Sequence, residues 1–209
     1  VFFDALPPGT RSNLALLAAS GLIDPFYLAG GTAAALHLGH RISNDLDFFG
    51  SEPFDPDGLA SALGDSGRLI LDRIAPERLL GEWNEVKLSF FRYRYPLVSD
   101  LIMESGVKIA HLHDIAAMKL DAVSRRGTKR DFVDLFFIAQ SGISLSEALQ
   151  WYVRKFAGLH VNLVHVVKSL AYFADAELDP SPQMLVDFSW DEAKHFFEHE
   201  ATALLKTLD

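Results

Sequence analysis

Asp45 and Asp47 are separated by a single residue, Leu46. On an extended strand, residues two apart project to the same face. The two carboxylates therefore point together, with Leu46 and Phe48 on the opposite, buried side. Carboxylates so close repel unless they share a proton or hold a cation between them. A hard divalent ion such as Mg²⁺, or Mn²⁺ in its place, binds through one or two carboxylates plus substrate phosphates. Gly30 and Gly31, followed by Thr32, supply the complementary half. Without a Cβ, their backbone N–H groups can approach a ligand closely. A helix start just beyond offers free N–H groups and a positive dipole end to phosphate, and the Thr32 hydroxyl adds a donor. Together these residues describe a site for a metal-bound triphosphate, with Asp45 and Asp47 as metal ligands. The chemistry would be in-line phosphoryl or nucleotidyl transfer. Each part alone has a plainer meaning: a lone Asp-x-Asp is commonplace, Gly-Gly is often only a turn, and Thr32 is equally a helix N-cap. The ordered set is what points to one site.

The surrounding pattern supplies elements to position it. PPGTRSNLALLAASGLI reads as an amphipathic helix, with Leu14, Leu16, Leu17 and Leu22 available for one face. PFYLAG is a short buried strand, TAAALHLG a short helix closed by Gly39, and NDLDFFG a strand alternating acidic and apolar residues. Asp57 to Leu63 suits another helix. GRLILDRIA, LLGEW and NEVKLSFFRYRYP read as strands, the last an edge strand with Arg92 and Arg94 in solvent. Beyond about residue 105 the periodicity becomes helical, with Asp114, Thr128 and Ser144 as N-caps and the LDPSP stretch as a break. The expectation is an α/β part over 1–105 and a helical part over 106–209 that packs on it and completes the site. His195 and His199 are four apart, but with no intervening H-E-x-x-H glutamate they read as a surface pair.

The string GGTAAALHLGHRISNDLDFF resembles the AbiEii/AbiGii toxin family of nucleotidyltransferases, in which a G-G-T-A-L-A-L run leads into H-R-x-S-x-D-L-D-F-F. His40, Arg41 and Ser43 fall on signature positions. The resemblance implies an α+β, polymerase-β-like nucleotidyltransferase fold: a mixed sheet with helices, then a helical C-terminal half. It also implies a Mg²⁺-dependent enzyme with an NTP as substrate. NEVKLSFF resembles the second family motif, a strand with a lysine, here Lys87. Several members place an aspartate two residues later, where this chain has Ser89, which puts a third metal-binding carboxylate in question. HDIAAMKLDAVSRRGTKRDFVDLFFI resembles the third and fourth motifs. It implies that Lys119 contacts the triphosphate and that Asp131 or Asp134 holds that lysine or completes the site. Asp131 and Asp134 share a helix face, so one can pair with Lys119 while the other caps or packs. Asp134 lies in the apolar stretch DFVDLFFI and needs a partner there. Taken without the resemblance, Lys119 reads as a solvated helix lysine. His40 and Arg41 either brace the acidic strand or touch phosphate.

Composition bounds the partners. The 209 residues carry 28 acidic and 19 basic side chains, a formal net charge of −9, so no global basic field attracts nucleic acid. An RNA acceptor would need a local basic patch or a metal that masks the acids. Cysteine is absent, which fits a reducing compartment. No apolar run approaches a bilayer-spanning length and VFFDALPPGT lacks a signal-peptide pattern, so the expectation is a cytoplasmic protein without a membrane partner. The leading reading is a nucleotidyltransferase that moves NMP from an NTP to an acceptor hydroxyl. By resemblance it is the toxin of a type IV-like toxin–antitoxin pair, with a tRNA end or a protein hydroxyl as acceptor and a cognate antitoxin as partner. The alternatives are a non-catalytic nucleotide- or partner-binding module with a degenerate site, and an aminoglycoside nucleotidyltransferase.

Overall fold

The computed structural model describes residues 1–208. Among them a seven-stranded mixed sheet runs in the order β3-β4-β5-β2-β1-β7-β6. Its strands are β1 (Tyr27–Leu28), β2 (Leu46–Gly50), β3 (Leu69–Ala75), β4 (Arg78–Trp83), β5 (Val86–Arg92), β6 (Ile102–Glu104) and β7 (Val107–Ile109). The helices are α1 (Pro8–Ser20), α2 (Gly30–Leu38), α3 (Pro56–Ser66), α4 (Leu112–Arg125), α5 (Lys129–Gln140), α6 (Leu145–Lys155), α7 (Leu163–Ser169), α8 (Ala174–Leu178) and α9 (Trp190–Leu208). The α+β class and the mixed sheet are as the sequence implied.

The strand that carries Asp47 sits at the centre, and Asp45 lies just ahead of its first residue rather than on the strand as expected. β2 pairs in parallel with β5 and antiparallel with β1, which itself runs parallel to β7. Leu46 and Phe48 are buried on one face, where Phe48 stacks on Phe90 with ring centroids 5.2 Å apart. Asp47, on the other face, lies in register with Ser89 of β5. β5 lies between β4 and β2, so it is not the edge strand expected. Arg92 and Arg94 at its end are paired with Glu77 rather than simply solvated.

Several local signals act as read. Gly39 caps α2 in the left-handed conformation at φ 63°. The Thr128 side chain accepts the Asp131 N–H, and Ser144 with Glu147 forms a full capping box. Others differ. Leu16 is 54% exposed, so the apolar face of α1 rests on Leu14 and Leu17. Helix α2 begins at the glycines, not at Thr32. The segment 102–109, for which no strand was expected, forms the β6–β7 hairpin and adds to the sheet beside β1.

Asp114 is not an N-cap. His111 caps α4, accepting the His113 N–H, while Asp114 lies fully buried. Its carboxylate pairs with Lys155 Nζ at 2.7 Å and accepts the N–H groups of Val98 and Ser99. A buried carboxylate needs such partners, and these tie the chain after β5 to α4 and α6. No single described helix is long and apolar enough to cross a membrane.

Candidate active site

The site is built where β2, α2, α4 and α5 meet. α2 starts at Gly30, whose φ of +67° favours glycine and whose Cβ position would lie 3.4 Å from Asp47 Oδ2. Its N-cap, Ala29, provides no side-chain cap, so the first-turn N–H groups are not satisfied by one. Gly31 has a different reason to be glycine. A Cβ there would strike the Arg41 guanidinium.

A buried ionic network lies behind this turn. Asp134, with no exposed side-chain surface, receives His40 Nε2 at 2.8 Å. It also receives Arg41 through Nε at 2.6 Å and Nη2 at 2.9 Å, and Lys119 Nζ at 2.6 Å. Lys119 Nζ also donates to Asp131 at 2.8 Å, so it bridges both carboxylates. Asp131 in turn accepts from Arg126 at 3.0 Å and from the Thr128 hydroxyl at 2.6 Å. Burial works against both acids, yet Lys119 and Arg41 hold the Asp134 carboxyl far below the usual range. For Asp131, Lys119 and Arg126 overcome burial and lower it to about 2. Burial likewise opposes the Lys119 charge, but Asp134 and Asp131 outweigh it and its pKa is raised.

His40 and Arg41 thus brace the helix that bears Asp134, not the acidic strand. A chain segment locks them from outside. The Leu185 N–H donates to the His40 carbonyl at 2.9 Å and the Ile42 N–H to the Gln183 carbonyl at 2.8 Å. This returning segment, which follows the LDPSP break, forms an antiparallel bridge with Arg41 at Met184. His40 Nδ1 is buried with no partner.

In front of the network lies a cleft of about 160 Å³. Asp45, Asp47, Gly31, Thr32, Ser43, Lys119 and Asp131 all reach its wall. Thr32 and Ser43 do so with hydroxyls already in use. Thr32 donates to the Asp45 carbonyl, so its one hydrogen is spent and Ser43 is the donor in their mutual bond of 2.8 Å. They set the backbone at Asp45. Burial raises the Asp47 carboxyl above its ordinary range and the neighbouring Asp45 adds to this, while the Ser89 hydroxyl bonded to Asp47 opposes it. Lys87 is exposed on β5 and does not line the cleft. His40 and Asp134 stand behind the wall.

Three cleft residues had no functional assignment from sequence: Arg126, Thr128 and Arg130. Their signal was the basic SRRGTKR turn joining the helix of Lys119 to that of Asp131. With them the cleft has four basic side chains (Arg41, Lys119, Arg126, Arg130) against three acidic (Asp45, Asp47, Asp131). Counting Asp134 behind the wall, which holds Arg41 and Lys119, the charges balance four to four, so a phosphate meets a site far less acidic than the chain's net charge of −9.

Asp45 and Asp47 suit a divalent ion of the kind that keeps one or two carboxylates and takes its other ligands from phosphate and water. Among the described residues, no three His, Cys, Asp or Glu side chains are grouped to hold a metal without substrate. Asp131 and Asp134 are committed to cations.

Comparison with known proteins bears on the family and the fold. A relative from Aquifex aeolicus (strain VF5), an uncharacterized protein, is 33% identical over 201 residues, covering 94% of this chain and 96% of the relative. Among solved structures, JHP933 from Helicobacter pylori superposes with a TM-score of 0.57 at 18% identity, over 95% of this chain and 91% of that one. MenT4, a nucleotidyltransferase toxin from Mycobacterium tuberculosis H37Rv, gives 0.51 at 14% identity, over 93% and 84%. At these identities the superpositions establish a shared fold. The family model described as nucleotidyl transferase AbiEii toxin, type IV TA system, matches residues 14–103 and 92–199, together most of the chain. The chain belongs to the AbiEii nucleotidyltransferase toxin family.

Proposed function

We propose that this nucleotidyltransferase moves a nucleoside monophosphate from an NTP to an acceptor hydroxyl, using Mg²⁺ or Mn²⁺ held by Asp45 and Asp47. The observation that carries this reading is the placement of two same-face carboxylates and an uncapped helix start in one cleft with four basic side chains. A bound divalent ion would neutralise phosphate charge and lower the pKa of the acceptor hydroxyl. The chain's own groups do the positioning. Backbone N–H groups at Gly31 and Thr32 and the guanidinium groups of Arg126 and Arg130 bind phosphate oxygens. Lys119 contributes charge from within the wall, while Asp131 and Asp134 fix its ammonium in place. Thr32 and Ser43 hold the backbone that aims Asp45. In the transfer, the acceptor oxygen bonds to the α-phosphorus as the bond to pyrophosphate breaks, and the acceptor proton is released.

The part over 106–209, helical from α4 onward after β7 joins the sheet, completes the site through Lys119 and the residues after it. The acceptor is a tRNA end or a protein hydroxyl, the activity is that of a toxin held by a cognate antitoxin, and the compartment is the cytoplasm. The test is an NTP panel with Mg²⁺ against total tRNA, cell lysate and aminoglycosides. Label should enter tRNA or protein and should vanish with Asp45→Ala. Label in an aminoglycoside would reassign the acceptor. Mg–NTP binding without any transfer would support a second reading, a nucleotide-binding module, which Ser89 in register with Asp47 favours.

A further inference from the structure

The four basic groups of the cleft are not alike. Arg41 grips Asp134 through two nitrogens, at 2.6 and 2.9 Å. Lys119 is held between Asp134 and Asp131 at 2.6 and 2.8 Å. Arg126 lies against Asp131 at 3.0 and 3.3 Å. Arg130, in the first turn of α5, makes no side-chain hydrogen bond among the described residues. Its nearest anion is Asp45, with Nη1 3.8 Å from Oδ2, beyond hydrogen-bonding distance. The Arg130 side chain is 61% exposed and that of Asp45 40%. An ion pair this long and this wet is weak and screened by salt. Arg130 also has somewhere to go, because it borders both this cleft and an adjoining hollow of about 350 Å³ bounded by Asn44 and Gln183.

We propose that Arg130 is an exchangeable counter-ion: it competes with the divalent ion for Asp45, and once displaced it binds the nucleotide's phosphates. This rests on the metal-and-nucleotide reading above and deepens it by assigning Arg130 two opposed effects. Asp45 cannot be fully neutralised by both cations at once, so the guanidinium weakens metal binding when no nucleotide is present. A phosphate entering the cleft gives the guanidinium a stronger partner, since Arg–phosphate bonds are charge-assisted and geometrically matched. Metal and nucleotide should therefore bind with positive coupling that passes through one mobile side chain. Coupling of this kind is reciprocal.

Calorimetric or electron-spin titration of Mn²⁺, with and without an α,β-methylene NTP analogue, tests this on the whole chain. Arg130→Gln keeps the helix propensity and the exposure of the position. In this variant Mn²⁺ alone should bind about two- to fivefold tighter. The analogue, with saturating Mn²⁺, should bind at least severalfold weaker. High salt should shrink the Mn²⁺ difference between wild type and Arg130→Gln. Opposite shifts in the two affinities support the exchange. Two affinities that fall together, or neither moving, overturn it while leaving the metal-and-nucleotide reading intact. A wild-type chain that binds neither Mn²⁺ nor the analogue overturns that reading itself, and the exchange with it.

Discussion

Arg41 and Asp134 meet edge to edge, two nitrogens against two oxygens, with both side chains buried and their positions 93 apart in the chain. This fork joins the loop that leads to the acidic strand to the helix that follows the basic turn. Asp134 also answers the Lys119 charge, so removing it strands the buried Arg41 and leaves Lys119 with Asp131 alone. Asp134→Asn should therefore cost about 3–5 kcal/mol of unfolding free energy, read by urea denaturation. Asp45→Asn, on an open wall, should cost far less. Equal losses would mean that the network is not the keystone described.

The same network sets acid stability. Asp131 and Asp134 have carboxyls lowered by their cations, Asp131 to about 2 against an ordinary 3.8. A carboxylate whose folded pKa is depressed contributes stability that is present above its unfolded pKa and is lost as pH falls toward the folded value. Unfolding free energy should drop between roughly pH 4 and pH 2. Asp131→Asn should flatten that slope, with denaturation midpoints across the range as the measurement.

Gly31 predicts a steric effect of the opposite kind to Gly64. A methyl group at Gly31 collides with the Arg41 guanidinium and forces it from Asp134, whereas the Cβ position of Gly64, in helix α3, meets open space. Gly31→Ala should destabilise by about 1–3 kcal/mol and weaken NTP-analogue binding. Gly64→Ala should stabilise by roughly 0.5–1 kcal/mol. Thermal melts of the pair decide it, and a neutral Gly31→Ala would show that Arg41 can shift at no cost.

How much of this was legible in sequence depends on the range of each interaction. The alternation from Leu46 onward in NDLDFF, the caps at Thr128 and Ser144, and the stop at Gly39 are local signals that appear where the residues placed them, although Asp45 falls just before the strand. Asp114 misled because its side chain looks like a cap, while its partner Lys155 lies 41 residues away. β6 and β7 escaped notice because each has three residues and the turn between them, Ser105 and Gly106, is in the positive-φ region. His40 and Arg41 stand beside the acidic strand in sequence but act on α5. A long side chain reaches a partner that sequence proximity does not reveal.

The pH dependence of metal binding follows from Asp47, and its sign differs from that of the network. Burial, and then Asp45, raise its carboxyl above the ordinary 3.8. A raised folded pKa means that ionised Asp47 destabilises the fold at neutral pH, and that this cost disappears as pH falls through the raised value. Metal binding requires the ionised form. Mn²⁺ affinity should therefore collapse at a pH above that of an ordinary aspartate. Asp47→Asn should raise stability at pH 7 and abolish the Mn²⁺ titration. An affinity profile flat down to about pH 4 would show that Asp47 is not a ligand.

Ser89 gives the last prediction, because it occupies the one strand position in register with Asp47. Its hydroxyl beside the Asp47 carboxylate favours the ionised form and opposes the effect of burial. Ser89→Asp replaces this donor with a third carboxylate on the same face, so repulsion rises where no cation intervenes. The variant should lose about 1–3 kcal/mol in chelator and recover part of that loss on adding Mn²⁺, by a larger rise in Tm than wild type shows. Mass action requires the larger rise if the third carboxylate joins the ion, since only the folded chain assembles the three. Ser89→Ala, which removes the donor without adding charge, should raise the pH at which Mn²⁺ binding is lost, since Asp47 then has one fewer group favouring its ionised form. If Mn²⁺ stabilises Ser89→Asp no more than wild type, the Asp45–Asp47 face does not hold the ion, and metal would have to enter with the nucleotide alone.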